Sequence, residues 1–96
     1  MLQEAVRVSE HLEDCTEWII QLNRCLEKYP KFYEGYIYRG KLFIKMKKYR
    51  EAAADFNEAI QINRLRQIAY IGRGDCERAA DNYDSAIKFY NQALKI

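Results

Sequence analysis

A chain of 96 residues and 11.5 kDa has room for one core and seldom two, which excludes a multidomain organisation, and its 49% hydrophobic and 14% aromatic content exceeds what a disordered tail carries. No apolar run reaches the roughly 18 residues of a membrane helix, and Met1-Leu2-Gln3-Glu4 lacks the basic flank and apolar stretch of a leader, so a soluble, intracellular and cytoplasmic chain with no membrane partner is expected. The net charge of +2 conceals an uneven distribution: three Lys/Arg against six Asp/Glu over 1–30 (−3), seven against one over 31–50 (+6), and six against seven over 51–96 (−1).

Apolar residues recur at offsets of 0, +1, +4, +7 and +8, which places them on one face of a helix at about 3.6 residues per turn. In chain order, the first predicted helix spans 2–12 and ends at the polar break Glu13-Asp14-Cys15. The second, 16–28, gathers Trp18, Ile19, Leu22, Cys25 and Leu26; Pro30, which lacks an amide hydrogen and pushes Tyr29 out of helical geometry, closes it. The third, 33–47, holds most of the basic block, and the fourth, 50–63, aligns Ala52, Ala53, Phe56, Ala59 and Ile60. The fifth, 67–80, precedes a break at Asp81-Asn82-Tyr83, and the sixth, 84–96, repeats the stripe with Ala86, Ile87, Tyr90, Ala93 and Leu94. No strand-like alternation competes with this pattern.

The pattern also recurs along the chain with a period of 34: placing 33–62 over 67–96 matches nine of thirty positions, among them Tyr36/Tyr70, Arg39/Arg73, Gly40/Gly74, Ala52/Ala86 and Ala59/Ala93. Subtracting the period again brings Trp18, Ile19 and Leu22 onto Ala52, Ala53 and Phe56, so a degenerate copy in 1–32 precedes two clear ones in 33–66 and 67–96. Tyr36, Gly40, Phe43, Ala52, Phe56 and Ala59, and again Tyr70, Gly74, Ala86, Tyr90 and Ala93, resemble the signature of the tetratricopeptide repeat family. The resemblance implies an all-α, right-handed α-solenoid of three antiparallel helical hairpins, a single domain over 1–96, expected to be a piece of a longer repeat protein. Gly40 and Gly74 are expected to make room for Ala52 and Ala86 of the facing helix, with aromatic rings filling the space between hairpins.

Departures from the signature carry their own expectations. Arg39 is expected to pair with Asp55, whereas Phe89 stands at the equivalent position beside Arg73 and offers no such partner. Glu77 replaces an aromatic and Arg64 a proline. Val6 and Trp18 stand where the clear repeats have Gly and Ala, so the first hairpin should cross more widely.

The residues that could carry chemistry are few. His11 is the single histidine and reads as solvated, and three cysteines without short paired spacing suggest neither a disulfide framework nor a zinc site. Cys25, in the slot of Ala59 and Ala93, is expected to be a small buried thiol, with Cys15 and Cys76 more exposed. Gly72-Arg73-Gly74 follows helical residues rather than a strand, so it is a packing element and not a phosphate loop. The chain is therefore expected to have no enzymatic activity, no cofactor and no metal. The tyrosines mostly occupy repeat packing positions and the pI is a modest 8.4, which argues against nucleic acid as a partner.

A surface remains. By resemblance, the first helix of each hairpin lines a concave groove that binds a peptide or protein segment, and the candidate groove residues are Arg7, Glu34, Ile37, Lys41, Ile44, Lys45, Ile68, Ile71, Asp75 and Arg78, with His11 at the flank. Lys41, Lys45 and Lys48 share a helix face, which suits an acidic and partly apolar ligand segment. The lysine, asparagine and arginine set with which one subgroup clamps acidic chaperone tails is missing, since Gln3, Arg7, Tyr38, Ile68 and Gly72 occupy those places. The alternative role is assembly: Ile87, Tyr90, Leu94 and Ile96 form an uncapped apolar edge expected to stack on further repeats or to self-associate.

Overall fold

The computed structural model describes the backbone of residues 2–96 and the side chains of residues 15–96. Five helices follow one another: α1 (Leu2–Lys28), α2 (Tyr33–Lys45), α3 (Tyr49–Ile62), α4 (Gln67–Ala79) and α5 (Tyr83–Leu94), with no strand among the described residues. α2 pairs with α3 and α4 with α5 as antiparallel hairpins, and the hairpins stack through α3 against α4 and α2 against α4. The all-α solenoid of helical hairpins is thus the architecture.

The first copy departs from the expected third hairpin. α1 is one helix of 27 residues, so no turn interrupts it at Glu13-Asp14-Cys15. The reason lies in the turn that the later copies use. α2 ends with the Lys48 amide donating to the Phe43 carbonyl at 2.8 Å and Lys47 at φ 60°; α4 ends with Asn82 donating to Glu77 at 2.8 Å and Asp81 at φ 65°. This six-to-one closure puts a residue other than glycine in the left-handed region, at a cost of about 1–2 kcal/mol. Glu13 is the residue 34 positions before Lys47 and 68 before Asp81. There, Val6 and Trp18 replace the small residues whose close helix crossing would offset that cost, and no proline or glycine intervenes. The helix continues.

The core forms around Phe56, whose ring is fully buried between α2 and α4. A Cβ on Gly40 would come within 2.9 Å of that ring, and one on Gly72 within 2.3 Å. Gly74 makes the same room for Tyr90, at 2.6 Å. The atoms nearest these glycines are the rings of Phe56 and Tyr90, where the sequence reading named Ala52 and Ala86. Leu26, Tyr33, Tyr36, Ile37, Ala52, Ala59, Ala69 and Cys76 complete the cluster. The junctions are fastened by side chains: Tyr36 Oη donates to the Pro30 carbonyl at 2.9 Å, and Asn63 Oδ1 accepts from the Leu65 amide at 3.0 Å, turning the chain where Arg64 replaces the expected proline.

Candidate binding face

Arg39 is the organising cation of the first hairpin. Its Nε donates to Asp55 Oδ2 at 2.8 Å and a terminal nitrogen to Asp55 Oδ1 at 2.6 Å, the expected pair in two-pronged form, while the other terminal nitrogen reaches Asn23 Oδ1 on α1 at 2.8 Å. The hydrogen bonds to Asp55 push the Arg39 pKa up. Arg73 has found a carboxylate too, by a different route. It pairs with Glu77 four residues on, and its guanidinium lies 4.7 Å over the Phe89 ring. Arg39 takes its acid from Asp55 and lies 5.6 Å from the Tyr36 ring; in the third repeat the acid, Glu77, stands at the position of Phe43 and the ring, Phe89, at the position of Asp55. The acid has moved from the facing helix to the arginine's own helix.

The Arg73–Glu77 pair has a pH signature. The hydrogen bond from Arg73, opposed by burial and helped by Asn82, holds the Glu77 carboxyl below the usual glutamate range. A depressed folded pKa contributes stability that is whole above the unfolded value, about 4.3, and is lost as pH falls through the folded value. Glu34 is shifted the same way by its bond from Arg66 at 2.9 Å. Glu77→Gln should therefore lose stability at neutral pH and converge with the wild type in acid. Urea unfolding from pH 7 downward tests this, and parallel stability curves would contradict it.

The predicted groove residues divide by what holds them. Lys41 and Lys45 on α2 are exposed, as are Ile68 and Ile71 on α4, at 38% and 42%. Arg78 is exposed and meets Asp75 at 3.5 Å; Asp75 is half-buried and accepts from the Tyr90 hydroxyl. Glu34 is engaged by Arg66, which also lies 4.3 Å over the Tyr33 ring. Ile44 is half-buried against the core. Ile37 is a core residue at 4% exposure, in the buried cluster that also holds Ala69 and Cys76 of α4, so it has little surface to offer a ligand. Arg7 and His11 lie outside the described side chains. The structure thus brings Lys41, Ile44 and Lys45 onto one helix and Ile68, Ile71, Asp75 and Arg78 onto the helix beside it.

At the far end, Ile87, Leu94 and Ile96 are exposed at 56%, 79% and 45%, with Tyr90 half-buried. The cysteines reverse their expected order: Cys76 is buried, its Sγ donating to the Tyr49 carbonyl at 3.1 Å and its pKa pushed up by burial, whereas Cys25 is half-buried at the mouth of a depression near Pro30. Among the described residues no three His, Cys, Asp or Glu side chains converge as metal ligands would, and no helix is long and apolar enough to cross a membrane. Sequence reasoning gave no binding role to Trp18 and Tyr38, exposed at 62% and 57%. The signal was present: a tryptophan in a slot that is alanine in both clear repeats.

Stacked hairpins whose first helices present a mixed apolar and charged surface define a helical repeat scaffold. Tetratricopeptide repeat patterns match residues 33–65 and 68–96, and the chain belongs to the tetratricopeptide repeat family. Among solved structures, the crystal structure of MamA superposes with a TM-score of 0.81 at 20% identity, covering 88% of this chain and 50% of MamA, so the chain spans about half the length of that protein. Repeats of this family generally mediate protein–protein interaction and are typically non-catalytic.

Proposed function

We propose that the chain is a non-catalytic interaction module that holds an acidic, partly apolar segment of another protein against α2 and α4. The observation that carries this reading is the exposure of Lys41 and Lys45, with half-buried Ile44, on α2 in the most basic part of the chain, next to the helix that exposes Ile68 and Ile71. Exposed charge pairs contribute only about 0.2–1 kcal/mol each, so the isoleucines supply much of the affinity. After capture of a partner with the wild-type chain, Lys41→Glu with Lys45→Glu should weaken binding strongly and make the remainder less sensitive to salt. Ile71→Asp should weaken it at least as much as either single lysine change. Unchanged affinity in both variants would place the contact elsewhere. The second reading is assembly through the edge at Ile87, Leu94 and Ile96, favoured by their exposure. Loss of capture on Leu94→Glu alone would select it.

A further inference from the structure

The seat that α2 occupies has an empty counterpart one repeat earlier. α2 lies against α3 and α4, where Ala52, Phe56, Gly72 and Cys76 are all buried. Thirty-four residues before them stand Trp18, Leu22, Tyr38 and Leu42, which with Lys41 and Lys45 line a groove of about 430 Å³ between α1 and α2. Trp18 and Tyr38 are exposed and Leu22 and Leu42 only half-buried. Positions that α2 seals in the second repeat are open in the first.

The repeat register assigns this seat to residues 2–12. That segment supplies apolar residues at Leu2, Ala5, Val6, Val8 and Leu12. It carries Glu4 and Glu10 against Arg7, a net charge opposite in sign to Lys41 and Lys45 on the rim. Yet the turn that would return the segment to its own seat is not made, because α1 is helical through Glu13, whereas its equivalents Lys47 and Asp81 take positive φ. Residues 2–12 therefore continue along the axis of α1, roughly 16 Å at 1.5 Å per residue, away from the groove on their own chain. Only another molecule can present them to it.

We infer that the seat between α1 and α2 is filled by residues 2–12 of a second copy of this chain, the two copies exchanging their amino-terminal helical segments reciprocally about a twofold axis. This goes beyond the peptide-binding reading and does not rest on it: Lys41 and Lys45 border both surfaces, but Trp18 and Leu22 belong to the seat alone and Ile71 to the binding face alone. It is also separate from the edge at Leu94.

The test is sedimentation of the intact chain over a wide concentration range, read together with the emission of Trp18, the single tryptophan and thus a reporter of the seat. The expected result is a dimer whose emission is blue-shifted and moves to the red on dilution. Trp18→Glu, or Leu42→Glu if the first variant loses helicity, should weaken dimerisation at least tenfold, while Leu94→Glu and Ile71→Asp leave it unchanged. Glu13→Gly, which permits the left-handed turn, should let each segment return to its own chain and weaken the dimer at least tenfold with Trp18 still blue-shifted. A wild-type monomer at every concentration overturns the inference, whether Trp18 is solvent-exposed or already shielded by its own segment. So does a dimer that Leu94→Glu abolishes and Trp18→Glu does not, or one that Glu13→Gly leaves intact.

Discussion

Phe56→Ala should lower the free energy of unfolding by about 3–5 kcal/mol, the range for deleting a buried ring, which is a large part of the roughly 5–15 kcal/mol that holds a domain folded. The ring has no exposed surface, and the backbones of Gly40 and Gly72 close on it from two helices. Its removal leaves a void that α2 and α4 cannot jointly fill, since α3 keeps Ala52 and Ala59 fully buried on either side. The complementary change is Gly72→Ala. Helix propensity alone favours alanine by about 1 kcal/mol, but its Cβ would stand 2.3 Å from a ring with nowhere to go, and overpacking of that kind costs about 1–3 kcal/mol. Net destabilisation is expected, and Phe56→Leu combined with Gly72→Ala should cost less than the sum of the two single changes. Equilibrium urea unfolding measures all of these; additive losses would show that ring and glycine do not meet.

Asp55→Ala should be the most damaging change of a charged residue. The Asp55 side chain is 5% exposed and that of Arg39 20%, so deleting the acid strands a largely buried guanidinium. Breaking a buried pair costs about 3–5 kcal/mol, and the partial exposure of Arg39 puts the expectation near 3. Asp55→Asn, which keeps one acceptor, should cost less. Replacing both partners, as in Arg39→Met with Asp55→Leu, should recover most of the loss, because the stranded charge disappears with its partner. No recovery in the double variant would mean that Arg39 acts through Asn23 rather than through Asp55.

The two complete hairpins were legible because period and amphipathic offset agree over 33–96, so each helix lies within a few residues of its expected span. The first copy was not. Trp18 in an alanine slot was taken to widen a crossing, whereas a ring of that size, joined to an unfavourable left-handed glutamate, removes the crossing. Arg73 shows a second limit of linear reading. Glu77 and Phe89 each looked like a lost partner when compared with the second repeat position by position, but both positions border the same guanidinium, and either can hold the acid. For the candidate face, the shared side of Lys41 and Lys45 followed from helical spacing, and the place of Ile71 from the family resemblance. The burial of Ile37 did not, because its environment comes from α4, which sequence spacing within α2 does not describe.

The reach of Arg39 to both Asn23 and Asp55 sets an order in which the molecule comes apart. Asp55 of α3 aims the guanidinium, so the hydrogen bond that Arg39 gives to α1 is held in place while the α2–α3 hairpin is closed. Opening of α1 is expected to leave the hairpin whole, and opening of the hairpin to loosen α1. Native-state hydrogen exchange would accordingly show a hierarchy, with the amides of residues 15–28 released in a low-energy opening and those of α2 and α3 only in a higher one that contains it. The amino-terminal helix is thus expected to leave before the α2–α3 hairpin and to return after it.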